Sequence, residues 1–322
     1  MTPTSTSRRM ILDCDPGHDD AIAMLLALAQ PVWTVEGISI VAGNTTLDNA
    51  VRAAGQVLTV AGQTHVPVRG GMAQPLVRPL RTAPNVHGET GLDGPVLPEP
   101  AVAPVDEHSV DWMLRLLGEA RDAGETVEVA ATGPLTNVAA VLRRDPTLAH
   151  AIERLVVMGG AINEGNTTPA AEFNVLVDPE AASIVFDADT EIVMVGLDVT
   201  HSAIFPGARF DELRALNTPV GTMAADLLDF FLRFHREQYG LDGVPIHDAC
   251  AVAALLRPEL LQTRHLRVDV ETASTFCDGR TVVDLWGVTG REPNVHVGTS
   301  IDVEGFTDLL MASLASYEAA AS

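Results

Sequence analysis

Four aspartates lie within eight residues near the N-terminus: Asp13, Asp15, Asp19 and Asp20. Carboxylates this close raise one another's pKa in a buried cleft, so they cannot all stay ionised there without a compensating charge. A bound cation supplies that charge, and a crowded set of carboxylate and carbonyl oxygens favours Ca²⁺ over Mg²⁺. The spacing differs from that of an EF-hand loop. The cluster therefore predicts a site for a hard cation, although Asp19 and Asp20 alone could simply complement a helix N-terminus.

The cluster lies at a predicted strand-to-helix turn. Residues 10–12 are apolar and predict a strand, Asp15-Pro16-Gly17 predicts a turn, and residues 19–29 predict a helix. The alternation continues with strands at residues 34–42, 66–68, 127–131, 155–158 and 191–197 and helices at 47–61, 110–123, 135–143 and 179–188. These strands are continuously apolar, as expected when helices cover both faces of a parallel sheet.

The pattern changes towards the C-terminus. Residues 266–270, 280–286 and 295–301 predict a small antiparallel addition, followed by a closing helix over residues 303–317. No repeat or linker divides the chain, so we expect a single α/β domain over residues 1–322, with an open, mostly parallel Rossmann-like sheet. Trp112 and Trp286 are assigned to the core. Residues 70–104 form a long loop rich in Pro and Gly, a kind of loop that is usually functional or mobile.

Polar residues follow the predicted strands where each strand ends. In an open parallel sheet, ligands bind outside the carboxyl ends of the strands. Besides the aspartates, the residues expected to gather there are Gly43-Asn44-Thr45, Thr132-Gly133, Gly159-Gly160, Asn163 and Asn166.

Composition excludes several classes of function. The net charge of -23 disfavours binding to nucleic acid or to an anionic membrane surface. All 20 basic residues are Arg, which excludes mechanisms that need a lysine. Three scattered cysteines form neither a disulfide framework nor a zinc site, and the apolar run of residues 21–29 is too short to span a membrane. We expect a cytoplasmic protein.

An Asp-x-Asp at a strand end is also typical of phosphotransferases with an aspartate nucleophile, such as the haloacid-dehalogenase type. That pattern requires Thr or Val two residues after the second Asp, and a later basic residue for the phosphate. Here Gly17 occupies that position, and any basic residue would have to be Arg. This alternative stays open.

The segment from Asp13 to Ala21 resembles the N-terminal signature of the inosine-uridine-preferring nucleoside hydrolase family. Further blocks resemble that family in the same order, so the resemblance covers residues 10 to about 255: Gly43-Asn44, His87-Gly88-Glu89, Thr132-Gly133-Pro134-Leu135-Thr136-Asn137, Met158-Gly159-Gly160, Glu172-Phe173-Asn174 and His247-Asp248-Ala249. The resemblance implies the nucleoside hydrolase fold and hydrolysis of ribonucleosides to nucleobase and ribose. A Ca²⁺-dependent nucleoside or sugar binder without catalysis stays open as a second alternative.

The resemblance also implies roles for individual residues. It implies these Ca²⁺ ligands: Asp15, Asp20, Asp248 and the backbone carbonyl of Thr132. Two ribose hydroxyls and a water would complete the shell, and Asp15 would take a proton from that water. Substrate-binding residues would be Asp19 and Asn44 on one side of the ribose, with Met158, Asn166, Glu172 and Asn174 on the other. Asp13 would orient the ligands.

The leaving base needs a proton or a strong hydrogen bond, which His supplies well near neutral pH. His247, beside Asp248, is the first candidate for this acid, and His87 in the long loop is the second. Residues 230–240 predict an amphipathic helix that brings Tyr239 towards the base. Family members that prefer pyrimidines commonly carry Thr and Gln where Phe231 and His235 stand, so base preference stays open. The resemblance further implies a homo-oligomer, a dimer or tetramer.

Overall fold

The computed structural model describes residues 7–101 and 103–317 and is organised around an eight-stranded sheet. In this part of the chain the strands are β1 Arg8–Cys14, β2 Trp33–Ile40, β3 Val68–Gly70, β4 Val127–Ala131, β5 Ile152–Met158, β6 Ile192–Val195, β7 Ile204–Pro206, β8 Gly243–Pro245, β9 Leu261–Leu266, β10 Val268–Val270, β11 Thr281–Val283 and β12 Val295–Ile301. The order across the central sheet is β3-β2-β1-β4-β5-β6-β12-β9.

The helices cover the sheet and carry several of the predicted site residues. Within the described residues they are α1 His18–Leu28, α2 Leu47–Val60, α3 Pro84–His87, α4 Ser109–Ala123, α5 Thr136–Arg144, α6 Phe173–Val177, α7 Pro179–Phe186, α8 Leu197–Thr200, α9 Phe210–Ala215, α10 Pro219–Tyr239, α11 His247–Leu256 and α12 Val303–Ala315. The predicted elements of the first two thirds are confirmed to within a few residues.

The order in which strands are added to the sheet reverses at β1. The chain runs outward from β1 through β2 to β3, then returns to pair β4 with the other side of β1, and all these pairings are parallel. Such a reversal opens a crevice at the carboxyl ends of the strands, which is where ligands bind in this class of sheet. The loops that follow β1 and β4 carry Asp15 and Thr132, so both residues border that crevice.

The middle of the sheet is covered on both faces. Every residue of β4 is buried, and so are nearly all residues of α1 and α11, whose sequences are rich in alanine. A helix that is apolar all round is typical of a buried position. Because small side chains allow close approach, α1 packs directly against α11. This packing brings the N-terminal ends of the two helices, with their aspartates, to the same place.

Helix α10 begins earlier than predicted. The hydroxyl oxygen of Thr218 accepts a hydrogen bond from the backbone N–H of Gly221 at 2.9 Å, which caps the helix N-terminus. Pro219 occupies the first helical position, where its missing N–H costs nothing. The helix ends at Gly240, whose φ of 68° is the left-handed conformation that favours glycine. Residues 230–240 are therefore only its second half.

The C-terminal region contains the predicted antiparallel pairings, and one of its strands also joins the central parallel sheet. Strand β12 pairs in parallel with β6 and so extends the central sheet, while β9 pairs antiparallel with β12 at the edge. Strands β10 and β11 form a separate antiparallel ribbon, and so do β7 and β8. Strand β12 runs parallel to β6, which lies far away in sequence.

The assignment of Trp286 to the core is wrong, because its side chain is 87% exposed, whereas Trp112 is buried as predicted. Among the described residues, no helix is both long and apolar enough to cross a membrane. The described elements fit the predicted open, mostly parallel α/β fold. The single domain over residues 1–322 stays a prediction, and it includes termini that lie outside the described residues.

Candidate active site

A cavity of about 520 Å³ opens at the carboxyl ends of the strands. Its volume lies in the range that holds a small organic ligand. One wall carries carboxylate and amide groups, and the other carries aromatic and imidazole rings. The lining residues that matter below are Asp19, Asn44, His87, Thr132, Met158, Asn166, Glu172, Asn174, His201, Phe231, Phe234, His235, Tyr239, His247 and Asp248.

Three carboxylates meet at the polar wall. Oxygen atoms of Asp19, Asp20 and Asp248 all lie within 4.8 Å of one another, and the three residues are buried. Asp19 and Asp20 come from the first turn of α1 and Asp248 from the first turn of α11. The aspartate predicted from a remote part of the chain therefore does join the N-terminal cluster.

Asp15 lies beside this group in a narrow slot between two glycines. Its Oδ2 accepts a hydrogen bond from the backbone N–H of Asn44 at 2.6 Å. A Cβ atom at Gly43 or at Gly133 would collide with the Asp15 carboxylate. The other oxygen, Oδ1, is buried and has no hydrogen-bond partner among the described residues. An unpaired buried oxygen carries a large desolvation cost unless something outside the protein chain binds it.

Asp20 is held by three donors. Its Oδ2 accepts from the backbone N–H of Gly17 at 3.0 Å and from Nδ2 of Asn44 at 3.1 Å. Its Oδ1 accepts from the hydroxyl of Thr132 at 2.8 Å. These contacts connect the turns after β1, β2 and β4, and so fix the orientation of the Asp20 carboxylate.

Asp13 lies beneath the cavity in a buried polar network. It accepts hydrogen bonds from the Ser39 hydroxyl and from Nδ2 of Asn137, the latter at 2.8 Å. Its backbone carbonyl accepts from the N–H of Thr132 at 2.8 Å. Burial raises the pKa of Asp13 to about 6, against the lowering effect of the hydrogen bonds from Asn137 and Ser39. Asp13 thus ties β1 to β4 just below the carboxylate cluster.

Burial and mutual repulsion disfavour the ionised form of the clustered aspartates. Burial raises the pKa of Asp19 to about 7, and the Asp20 carboxylate adds to the rise. Burial also raises the pKa of Asp15 and of Asp248 well above the usual range, and the neighbouring aspartates raise both further. No arginine contacts these four carboxylates among the described hydrogen bonds and ion pairs, so the protein chain itself supplies no countercharge there.

The donor set fits a divalent cation that prefers oxygen. Three buried carboxylates meet within 4.8 Å of one another, Asp15 with its unpaired oxygen lies beside them, and Thr132 lines the same cavity. Carboxylate and carbonyl oxygens are the ligands of Ca²⁺ and Mg²⁺ rather than of softer metals. Of the predicted ligands, Asp20 and Asp248 belong to the tight group of three together with Asp19, and the Asp15 carboxylate lies beside that group.

Asn174 connects the polar wall to β4 and β5. Its Nδ2 donates to the carbonyl of Thr132 at 2.7 Å and to that of Met158 at 3.1 Å. Glu172 caps α6 by accepting from the N–H groups of Asn174 and Val175, and it also accepts from Gly160 at 3.0 Å. Three backbone donors fix this buried carboxylate against the cavity.

Two predicted contacts lie at the rim. Asn166 is exposed, and its Oδ1 accepts a hydrogen bond from the N–H of Phe173 at 3.0 Å. Tyr239 is 52% exposed at the end of α10. The side chain of Asn163, also expected near the site, instead donates a hydrogen bond to Asp198. Asn166 and Tyr239 line the cavity from opposite sides of its mouth.

Histidines dominate the other wall. His247 is the first residue of α11, and its Nδ1 lies 2.7 Å from the hydroxyl of Thr200. Burial lowers the pKa of His247 well below its usual range, helped by His201 and His235. His87 ends the short helix α3 within the long loop, and burial lowers its pKa strongly as well. Both candidate acids therefore face the same cavity as neutral rings.

Three residues of this wall were missed by the sequence analysis. Thr200 and His201 end the strand-to-helix segment after β6, and His18 lies in the aspartate motif but received no role. Applying the strand-end argument to the strand at 192–195 would have found the first two. His18 gave no signal of its own, because its partners, His87 and Asp93, are about seventy residues away.

The sequence matches proteins of one enzyme family along most of its length. The model of the family described as inosine-uridine preferring nucleoside hydrolase matches residues 10–308. A pyrimidine-specific ribonucleoside hydrolase RihA of Citrobacter koseri is 50% identical over 309 residues, which is 96% of this chain and 98% of the relative. The enzyme of the same name from Enterobacter sp. is 49% identical with the same coverage.

Solved structures show the same architecture. A purine-preferring ribonucleoside hydrolase from Gardnerella vaginalis superimposes with a TM-score of 0.90 at 29% identity, covering 96% of this chain and 99% of the other. A plant nucleoside hydrolase superimposes with a TM-score of 0.88 at 31% identity, covering 96% and 99%. Family match, identity and fold agree along nearly the whole length. The chain belongs to the inosine-uridine preferring nucleoside hydrolase family.

Proposed function

We propose that this protein is a Ca²⁺-dependent hydrolase that cleaves the N-glycosidic bond of ribonucleosides to give free nucleobase and ribose. One observation carries the proposal: the unpaired, buried Oδ1 of Asp15 lies in a carboxylate cluster that borders a cavity with an aromatic and imidazole wall. Such a cavity suits a ligand with a polyhydroxylated end and a planar, heteroaromatic end. A ribonucleoside has both.

The cation site is proposed on the chemistry of the donors. Asp15, Asp20, Asp248 and the carbonyl of Thr132 would hold Ca²⁺, with Asp19 close enough to share in binding. When bound, Ca²⁺ polarises the ribose hydroxyls and makes a neighbouring water more acidic. It also supplies the countercharge that keeps these carboxyls ionised at neutral pH.

The polar wall is proposed to hold the ribose. The carboxylate of Asp19 and the Oδ1 of Asn44 would accept hydrogen bonds from its 2′ and 3′ hydroxyls, while Glu172, Asn174 and Asn166 bind from the other side. Met158 contributes an apolar surface. Since Glu172 is fixed by backbone donors, its charge is preorganised to stabilise the positive charge that develops on the ribose ring.

Asp15 is proposed as the general base. It accepts a proton from the attacking water, whose oxygen bonds to C1′ of the ribose as the bond between C1′ and the base nitrogen breaks. The glycine walls and the Asn44 N–H hold the Asp15 carboxylate in one orientation. Asp13 orients this region from beneath through the backbone of Thr132.

His247 is proposed to assist the departing base. The Thr200 hydroxyl can donate to Nδ1, which leaves Nε2 as the proton-carrying atom available to the base. Because burial lowers the pKa of His247, the ring is neutral, and its Nε2–H can donate a hydrogen bond to the base as negative charge builds on it. His87 and Tyr239 contact the base from neighbouring positions on the same wall.

Pyrimidine nucleosides are proposed as the preferred substrates, on the basis of the curated relatives near 50% identity. A phosphotransferase is disfavoured because no arginine is among the described residues lining the cavity. A mere binder would need neither a general base nor an acid. We also propose a homo-oligomer, on the family resemblance, and light scattering against the 34.1 kDa chain mass tests it.

A nucleoside panel tests the proposed reaction. The protein is incubated with uridine, cytidine, inosine and adenosine in the presence of Ca²⁺, and ribose and free base are measured by a reducing-sugar assay and chromatography. We expect equal amounts of ribose and base, with uridine or cytidine cleaved fastest. Binding of nucleosides without any release of ribose would favour the binder instead.

A further inference from the structure

The hydroxyl of Thr281 holds the turn that follows β5, although Thr281 does not line the cavity. This buried side chain accepts a hydrogen bond from the N–H of Ala161 at 2.9 Å and donates one to the carbonyl oxygen of the same residue at 2.6 Å. We propose that Thr281 is a positioning residue: it fixes Gly160 so that the Gly160 N–H sets the orientation of the Glu172 carboxylate. The inference rests on the proposed function, because it deepens the role of Glu172 in the same site.

Gly160 is held between Thr281 and Glu172. Its N–H donates to Oε2 of Glu172 at 3.0 Å. Its φ of 73° is the left-handed conformation that favours glycine, and a Cβ atom there would come within 2.6 Å of Cγ2 of Thr281. The backbone of Gly160 therefore packs directly against Thr281, so a displacement at this contact also displaces the N–H that Glu172 accepts.

The cavity side of the same turn is held by α6. Nδ2 of Asn174 donates to the carbonyl of Met158, which lies two residues before Gly160, at 3.1 Å. Glu172 also accepts from the backbone N–H groups of Asn174 and Val175. These donors lie next to Glu172 in the chain. The contact with Gly160 is therefore the one that ties the Glu172 carboxylate to β5 and so to the sheet.

The ribbon of β10 and β11 gives Thr281 its position. Thr281 is the first residue of β11 and pairs with Val270 of β10. Just before it, Gly279 has a φ of 75° and lies so close to α6 that a Cβ atom would come within 2.8 Å of Cα of Leu176. The ribbon thus contacts both backbone segments that carry donors for Glu172: α6 through Gly279, and the turn after β5 through Thr281.

Ion pairs fasten the ribbon to the rest of the protein. Arg78 pairs with Glu180 of α7 and with Asp278, which lies between β10 and β11. Its Nη2 also donates to the backbone carbonyl of Thr272 at 2.8 Å. An isolated two-stranded hairpin is only marginally stable, whereas several charges joined in a network do stabilise a structure. These contacts therefore make the ribbon a fixed support for Thr281.

Loss of the Thr281 hydroxyl would take away the partner of both backbone groups of Ala161, which is buried. Unpaired N–H and C=O groups are unfavourable in the interior, so the turn must move to find other partners. The N–H of Gly160 moves with it, and Glu172 loses its tie to β5. Because a preorganised charge favours the transition state only when it is correctly placed, the loss falls on kcat more than on KM.

Two variants of Thr281 test this in kinetics with uridine and Ca²⁺. Thr281→Val removes the hydroxyl and keeps the shape of the side chain, whereas Thr281→Ser keeps the hydroxyl. We expect kcat of Thr281→Val to fall about tenfold, since a shift well below 1 Å costs less than the ~10²-fold of a full ångström. KM should change by less than about twofold, and Thr281→Ser should regain most of the loss.

Thr126→Val, which removes an exposed hydroxyl just before β4, is the matched control and should leave kcat unchanged. In a Glu172→Gln background, which lacks the carboxylate charge, Thr281→Val should cause little further loss of kcat, because both changes act through the same group. Thr281→Ala, which also lacks the hydroxyl, replaces Thr281→Val if circular dichroism shows that variant to be unfolded.

A binding measurement separates this inference from the proposed reaction. The protonated ring nitrogen of imino-D-ribitol resembles the cationic ribose of the transition state, whereas ribose is neutral. By isothermal titration calorimetry with Ca²⁺ present, we expect Thr281→Val to bind imino-D-ribitol about tenfold more weakly, with little change for ribose. Failure of the wild-type protein to hydrolyse any nucleoside would contradict the proposed function and leave this comparison intact. Unchanged binding, equal weakening of both ligands, or a Thr281→Ser variant as impaired as Thr281→Val would overturn the positioning role.

Discussion

The backbone N–H of Asn44 donates to Oδ2 of Asp15 at 2.6 Å and leaves Oδ1 of the same carboxylate without a partner. One oxygen is thus used to hold the side chain, and the other is free to act. The Asn44 side chain also reaches Asp20, so the end of β2 orients two carboxylates delivered by the turn after β1. The Asp15 carboxylate therefore has one anchored oxygen, Oδ2, and one unpaired oxygen, Oδ1, that can act as a base.

Asp15→Asn is expected to lower kcat for uridine by about 10²–10⁴-fold, the usual contribution of a general base. The amide keeps the volume of the side chain and can still accept from Asn44, so circular dichroism and the metal-free Tm should stay close to wild type. Asp122→Asn, on the exposed end of α4, is the matched control and should leave turnover unchanged. An Asp15→Asn enzyme with more than about a tenth of wild-type kcat would remove Asp15 from the role of base.

Gly43→Ala tests the slot around Asp15. The added methyl group would overlap Oδ2 of Asp15 and press on Pro134, so the carboxylate must move. Because displacement of a reacting group by about 1 Å costs about 10²-fold, we expect a loss of that order in kcat. Gly118→Ala, in α4, meets no atom within 4 Å and should leave kcat unchanged while slightly stabilising the helix. Full activity of Gly43→Ala would show that the Asp15 orientation is unimportant.

His247→Ala distinguishes help to the leaving group from binding. Cleavage of uridine needs assistance to the departing base, whereas p-nitrophenolate leaves without it. We therefore expect kcat for uridine to fall by about 10²-fold or more, with a much smaller effect on p-nitrophenyl riboside. Thr200→Val, which removes the partner of Nδ1, should produce a weaker effect of the same kind. Equal losses on both substrates would contradict the assigned role.

Stabilisation by Ca²⁺ should depend on pH. In the metal-free folded protein the pKa of Asp19 is about 7 against an ordinary 3.8. A pKa raised by folding favours the folded state below the unfolded pKa, and that stability is lost as the pH rises through about 7. Ca²⁺ binds the ionised carboxylates and replaces this loss. The Tm increase on adding Ca²⁺ should therefore be small near pH 5 and larger near pH 8, as measured by differential scanning fluorimetry at about those two values.

An increase in Tm of the same size at both pH values would place Ca²⁺ away from the buried cluster. Comparing samples with Ca²⁺ and with chelator at each pH cancels the opposing contribution of the histidines. Burial lowers the pKa of His18 to about 4, so that group destabilises the protein as the pH falls whether or not metal is present.

The sequence predicted the fold and the polar half of the site from local patterns. The ends of the strands can be predicted from apolar runs such as Val127–Ala131. Parallel pairing of the strands then places Asp15, Asn44 and Thr132 along one edge of the sheet. The parallel pairing of β12 with β6 was not predicted, because β6 lies about a hundred residues earlier and local patterns do not identify so distant a partner strand. Trp286 shows the same limit: its apolar side chain is exposed because no element packs over the turn that carries it.

The imidazole wall was only partly predictable. Adjacency to Asp248 indicated His247, and block resemblance indicated His87. The contacts that hold these rings come from Thr200 for His247 and from His18 for His87. Neither contact has a sequence pattern of its own, because each joins residues that are far apart in the chain.

The most direct measurement of the central claim is ribose release from uridine by protein stripped of metal with a chelator and then titrated with Ca²⁺. We predict negligible release without metal and saturable recovery as a single Ca²⁺ ion binds per chain. Asp15→Asn should not recover at any Ca²⁺ concentration. Undiminished release of ribose in excess chelator would contradict a reaction that depends on Ca²⁺ held by the aspartate cluster.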